Sequence, residues 1–186
     1  MKPGEARGGV QFARNMCPSQ GTMDVFVEPV LPRPSLIVFG ASPVALALAA
    51  QARPLGFNVT LAIPADDLGE APDADRLVDG FAIEPECRGE RYLVVSTQGR
   101  GDEAALKAAV SAKADYIGFV GSHRKMAALK QELTEAGIEP AAVDRVKGPA
   151  GLDLGAITPE EIALSVLAEI ISIRRRGQRG ETAPQA

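Results

Sequence analysis

Apolar residues along this chain come in short unbroken runs, separated by stretches that repeat at helical spacing. Leu36-Ile37-Val38-Phe39 is one such run, and Tyr92–Ser96 and Tyr116–Val120 are others. Unbroken runs of this length suit strands covered on both faces. Asn58–Ile63 reads as a further strand, closed by Pro64. Between the runs lie helices. Ser42 and Pro43 suit a cap and a first helical residue, and the Ala-rich stretch that follows runs to about Leu55, where Gly56 stops it. Asp102 reads as the cap of a helix over 103–113. After Gly121-Ser122, the stripe Met126, Leu129 and Leu133 predicts another helix, with Gly137 as its stop. The final helix is expected from Pro159 to about Arg175, burying Ile162, Val166, Leu167 and Ile170.

Strands alternating with helices predict an α/β fold with a mainly parallel, doubly wound sheet, in a single domain with a short N-terminal extension. Right-handed crossovers then bring every strand's C-terminal end to one edge, where such sheets bind ligands. Residues 1–20 are polar and unpatterned and read as a flexible segment. Met23–Val30 alternates apolar with polar residues and reads as a half-exposed strand, so 21–34 is a strand plus the stiff linker Leu31-Pro32-Arg33-Pro34. The domain proper is expected over 35–176, with 177–186 a frayed tail. The acidic stretch 65–80 reads as a loop, and Gly80–Ile83 as a short strand.

Composition narrows the chemistry. The 186 residues are 46% hydrophobic but only 4% aromatic, with no Trp, so the core is built from Ala, Val, Leu and Ile. A net charge of −4 provides no bulk attraction to nucleic acid or membrane. No apolar run approaches the roughly 18–20 residues a membrane span needs. Cys17 and Cys87 make no disulfide framework, and no signal pattern opens the chain, so a cytoplasmic setting is expected. The single histidine, His123, leaves no spacing for a zinc site or a Ser-His-Asp triad. No catalytic residue and no metal ligand set is singled out.

Four loops carry candidate chemistry. Gly40-x-Ser42-x-x-Ala45 follows the first strand but departs from a dinucleotide fingerprint, because Ser42 replaces a glycine and Pro43 lacks an N–H. Thr97-Gln98-Gly99-Arg100-Gly101-Asp102 sets Arg100 between glycines, where it can grip an anion or simply face water. In Gly121-Ser122-His123-Arg124-Lys125, cationic side chains open a helix against its dipole. That conflict suits a bound phosphate held by N–H groups and by Arg124 or Lys125; a solvated basic face is the alternative. Gly151-Leu152-Asp153-Leu154-Gly155 leads into Thr158-Pro159-Glu160-Glu161, whose Thr158 and Glu161 form a capping box. This tract suits an anion-binding loop or a structural turn. Cys17, beside Pro18, can bind soft metal or carry sulfur, or be incidental.

Tyr116–Lys125 and Gly151–Ala163, followed by Ala168-Glu169-Ile170-Ile171, resemble the XdhC/CoxI family. Thr97–Asp102 resembles that family's middle loop, and Cys17–Pro29 the segment before its Rossmann domain. The likeness spans about residues 16–176. It implies a Rossmann-like fold and an accessory role in maturing molybdenum hydroxylases such as xanthine dehydrogenase and carbon monoxide dehydrogenase. Such a factor binds molybdenum cofactor transiently, shelters it while it gains a sulfido ligand from a cysteine desulfurase, and delivers it to the apoenzyme. The cofactor's pterin phosphate then makes Gly40, Ser42, Gln98, Arg100, Gly121, Ser122, Arg124, Lys125, Gly151, Asp153 and Gly155 the expected binding residues, with Asp153 toward the pterin's amino group. Full-length members carry a further N-terminal domain with its own cysteine motif. This chain resembles a short form, with that domain a separate companion protein or missing, and a homodimer is expected. His123 stands where the family has Arg, so one charge there depends on pH. Two rival readings are an NAD(P)-dependent oxidoreductase and a ligand-free scaffold joining a partner to the target enzyme.

Overall fold

The computed structural model describes residues 6–7, 10–13, 18, 23–28, 30–67, 73–86 and 88–181. Cys17, Cys87 and residues 182–186 of the expected tail lie outside them. The chain divides into two units, Met1–Leu31 and Pro32–Ala186. In the first, β1 (Ala6–Arg7) pairs antiparallel with β2 (Val10–Gln11). The strand expected over Met23–Val30 does not form among its described residues. Met23, Val25, Phe26 and Val27 are exposed. Alternation marks a surface that fits a sheet, but a strand also needs a neighbour for its backbone groups, and this segment has none among the described residues.

The second unit is a six-stranded, wholly parallel sheet. Its strands are β3 (Ser35–Phe39), β4 (Asn58–Ile63), β5 (Arg76–Asp79), β6 (Arg91–Val95), β7 (Tyr116–Phe119) and β8 (Val146–Lys147). The order across the sheet is β5-β4-β3-β6-β7-β8. Side chains alternate between faces. Leu36, Val38, Val59, Leu61, Tyr92 and Val94 pack on one side with α1 (Pro43–Ala52) and α5 (Pro159–Glu181). Ile37, Phe39, Leu93, Val95, Ile117 and Phe119 pack on the other with α2 (Asp102–Ser111), α3 (His123–Glu135) and α4 (Pro140–Asp144). The few aromatics are placed as anchors: Phe57 meets Tyr92 edge to face, with ring centroids 5.9 Å apart.

Several elements differ from expectation. The edge strand is Arg76–Asp79, inside the expected acidic loop, and not Gly80–Ile83. Acidic side chains set its place. Asp75 accepts the Val59 N–H at 2.9 Å, and Asp79 accepts that of Ala65 at 2.9 Å. Gly80, at φ 74°, then turns the chain away. β8 and α4 carry too few residues to show a period in sequence. The cap of α2 is Gly101, not Asp102, whose carboxylate is engaged elsewhere. The last helix runs on to Glu181, beyond Arg175. Arg174, next to the core-packed Ile173, donates to Glu90 at 2.7 Å and lies over the Phe57 ring, so the end of the hydrophobic stripe is anchored.

Candidate functional site

The C-terminal ends of β3, β6, β7 and β8 bring the four candidate loops to one edge of the sheet. At the centre, Gly40 takes φ 101°. A Cβ there would lie 2.7 Å from Ser96 O and 2.8 Å from Thr97 Cα, so the turns after β3 and β6 touch only because residue 40 has no side chain. Ser42 caps α1, its Oγ accepting the Ala45 N–H at 3.0 Å, and the same Oγ lies 2.6 Å from Ser96 Oγ. Both serines are buried.

The second loop folds around Asp102. Its Oδ1 accepts from the Thr97 hydroxyl, and from the Gly99 N–H at 3.1 Å, while Lys125 Nζ pairs with Oδ2. Burial opposes charging this carboxyl, but the donors from Lys125, Thr97 and Gly99 win and hold it below the usual aspartate range. Gln98 adopts φ 53°, left-handed and exposed. Arg100 is 78% exposed at its side chain and pairs with Asp67 at 3.0 Å.

In the third loop, Gly121 lies against the Phe119 ring, where a side chain would not fit. Ser122 caps α3, with Oγ accepting the Lys125 N–H at 3.2 Å. The first intrahelical bond there is Met126 N–H to Ser122 O. The N–H groups of His123 and Arg124 therefore have no acceptor within the helix. Lys125 reaches back over Phe119, 5.8 Å from the ring centroid, to meet Asp102. Arg124 is exposed and makes no ion pair among the described residues.

The fourth loop is held from below by a group that sequence reading missed. Glu169 of α5 accepts from Tyr116 Oη at 2.7 Å and from the Gly151 N–H at 2.9 Å, and pairs with Lys147. Lys147 Nζ also donates to Gly151 O at 3.0 Å. Burial pushes the Tyr116 phenol above its ordinary range and the Lys147 amine below its own. The only signal for this group was Glu169 itself, a charged residue inside the apolar stripe of a helix. Gly151, at φ 103°, packs directly on Ser165, and Ala150 N–H donates to Phe119 O at 2.9 Å, tying this loop to the end of β7. Asp153 and Gly155 are exposed farther out. Among the described residues no group of three or more His, Cys, Asp and Glu side chains could hold a metal ion.

In chain order, the sheet reads third, second, first, fourth, fifth, sixth strand, and the turns after β3 and β6 meet where that order reverses. This defines a Rossmann-like domain with its crevice at the switch point. The model of the XdhC Rossmann domain matches residues 36–170, and the chain belongs to that family. Over 183 residues it is 31% identical to the uncharacterized protein YqeB of Escherichia coli (strain K12), covering 94% of this chain and 33% of that protein. Over 163 residues it is 32% identical to a probable xanthine dehydrogenase subunit of Bacillus subtilis (strain 168), covering 83% of this chain and 47% of the relative. A 79-residue stretch is 34% identical to the molybdenum cofactor insertion chaperone PaoD of Escherichia coli (strain K12), covering 42% of this chain and 25% of PaoD. The crystal structure of a xanthine dehydrogenase from Bacillus halodurans aligns with a TM-score of 0.66 at 26% identity, covering 81% of this chain and 47% of that one. The chain thus spans less than half the length of each of these proteins.

Proposed function

We propose that this chain is a maturation factor that binds molybdenum cofactor at the switch-point crevice and helps its sulfuration or insertion into a molybdenum hydroxylase of the xanthine dehydrogenase or carbon monoxide dehydrogenase type. The observation that carries this reading is the start of α3. Two N–H groups there are open, the helix dipole is positive, and Arg124 beside them has no counter-charge among the described residues. Such a terminus suits the phosphate of a pterin. The kinship with a molybdenum cofactor insertion chaperone and with a probable xanthine dehydrogenase component supports the cargo.

The remaining candidates divide by role. Arg100 and Lys125 each face a carboxylate, so their charge reaches an incoming anion partly neutralised. Gly40, Ser42 and Gly121 shape the crevice through close contacts, and Ser122 orders the α3 terminus. Gln98, Asp153 and Gly155 lie on exposed turns, and in this reading they meet the larger pterin. Gly151 sets the wall under them. A nicotinamide dinucleotide fits less well: Ser42 already takes the Ala45 N–H, Pro43 offers none, and the two buried serines fill the place a diphosphate would need. The apoenzyme, a cysteine desulfurase, a separate N-terminal companion and a second copy of this chain are the proposed partners, in the cytoplasm.

The test is retention of molybdenum cofactor by purified protein, read as fluorescence of the oxidised pterin. Arg124→Ala should lower affinity about tenfold, the scale of a charge-assisted contact to phosphate, with an unchanged melting midpoint. Equal retention by the variant would overturn the reading.

A further inference from the structure

A second polar site lies on the sheet toward the N-terminal ends of the strands, away from the switch point. The register sets Ser35 beside both Asn58 and Arg91, and Thr60 beside both Ile37 and Arg76. These rows adjoin the α2–α3 side of the sheet, where Ile37 and Leu93 pack. Over this corner no helix follows β5 among the described residues. The chain instead crosses as an irregular strap, whose Phe81 and Ile83 pack on the core. Between strap and sheet is a pocket of about 310 Å³, bounded by Arg91, Arg76, Thr60, Asn58, Ser35 and Glu84.

Arg91 is the anomaly. It is only 6% exposed, yet it makes no ion pair among the described residues. Its guanidinium donates to main-chain carbonyls, Nη1 to Glu84 O at 2.6 Å and Nη2 to Glu86 O at 3.0 Å. Those are neutral acceptors. Its Nε–H is fully buried with no partner among the described residues. A buried charge without a counter-charge, carrying an unused donor, is disfavoured unless something completes it. Two arginines against one glutamate leave the pocket wall one positive charge in excess.

We propose that this pocket binds a small oxyanion, a carboxylate or phosphate group, that lies against the Arg91 side chain and supplies the missing negative charge. Thr60 and Ser35 offer hydroxyl donors, Asn58 an amide, and Arg76 a second, more exposed guanidinium at the edge strand. A guanidinium fork matches a planar or tetrahedral oxyanion better than a cation or an apolar guest. This site is separate from the α3 terminus and does not rest on the cofactor reading.

The experiment follows the arginine Nε–H resonances of the full chain by NMR, with Arg91→Lys identifying the signal. Inorganic phosphate and acetate are titrated separately. A saturable shift of the Arg91 Nε–H with either anion is expected, and the tighter of the two names the class. Arg76→Ala, which leaves the strap's bonds to Arg91 intact, should weaken that binding about fivefold or more, and Arg124→Ala should not change it. No saturable shift with either anion would mean that Arg91 only staples the strap; that result, or undiminished binding in Arg76→Ala, would overturn the proposal. If Arg91→Lys does not fold, Thr60→Val is the second variant, and the signal is then assigned through its contacts to Glu84 and Glu86.

Discussion

Glu169 illustrates how one buried carboxylate can organise a site from a helix it does not adjoin in sequence. It collects a phenol, an ammonium and a backbone N–H from β7, β8 and the loop beyond. Glu169→Gln keeps the shape but removes the charge that faces Lys147. Lys147 is 45% exposed at its side chain, so solvent screens this pair and the loss is about 1 kcal/mol, which urea unfolding should show as a lower midpoint at unchanged slope. Asp102 makes a pH prediction. Its folded carboxyl is held below its ordinary value, so it stabilises the fold fully above the unfolded aspartate range. That contribution fades as pH falls through about 4 and toward the lower folded value. Asp102→Asn should therefore be less stable than the parent at pH 7, with the gap narrowing at pH 3; a constant gap would contradict the assignment.

At the scale of elements, turns and caps decide where chemistry sits. Gly40→Ala must place a methyl against Ser96 O and Thr97 Cα at a φ of 101°. A loss of about 2–4 kcal/mol is expected, together with a displaced β6–α2 turn visible as shifted amide signals at 97–101. Thr158 is different. Its Oγ1 accepts the Glu161 N–H at 3.3 Å, while Glu161 returns a bond to the Thr158 N–H at 3.0 Å. The N–H groups of Ile157 and Thr158 hold the Glu161 carboxyl below its usual range. Thr158→Ala should cost about 1 kcal/mol by thermal unfolding, and leave the crevice unchanged.

At the scale of the whole molecule, the proposed cargo is large, while the chain matches at most 47% of the length of the relatives described above. If a separate companion protein matches the part of the relatives that this sequence does not, adding it should raise cofactor retention, and titration calorimetry should show the two binding each other. The buried strands and the helices between them were readable because unbroken apolar runs and helical stripes are local properties. The capping signals at Ser42 and Thr158 were equally local. The edge strand Arg76–Asp79 escaped because its exposed residues carry no apolar run and its place depends on Asp75 reaching Val59. Met23–Val30 misled for the converse reason: it has the alternation but no partner strand among the described residues. Of the candidate site, sequence reading singled out glycines and cations, yet it could not pair Lys125 with Asp102, Arg100 with Asp67, or Ser42 with Ser96. Those partners lie 23, 33 and 54 positions apart.

By itself the sequence determined the alternation of buried strands with helices, and hence the α/β class and the edge at which loops gather, because periodicity, caps and apolar runs act within a few residues of themselves. Tertiary structure alone decided which charges are spent and which remain open. Whether Lys125 is neutralised, whether Arg91 lacks a counter-charge and whether Gly151 is held by Glu169 are all questions of distance in space. Electrostatic energy and hydrogen bonding follow that distance, and separation along the chain does not reveal it.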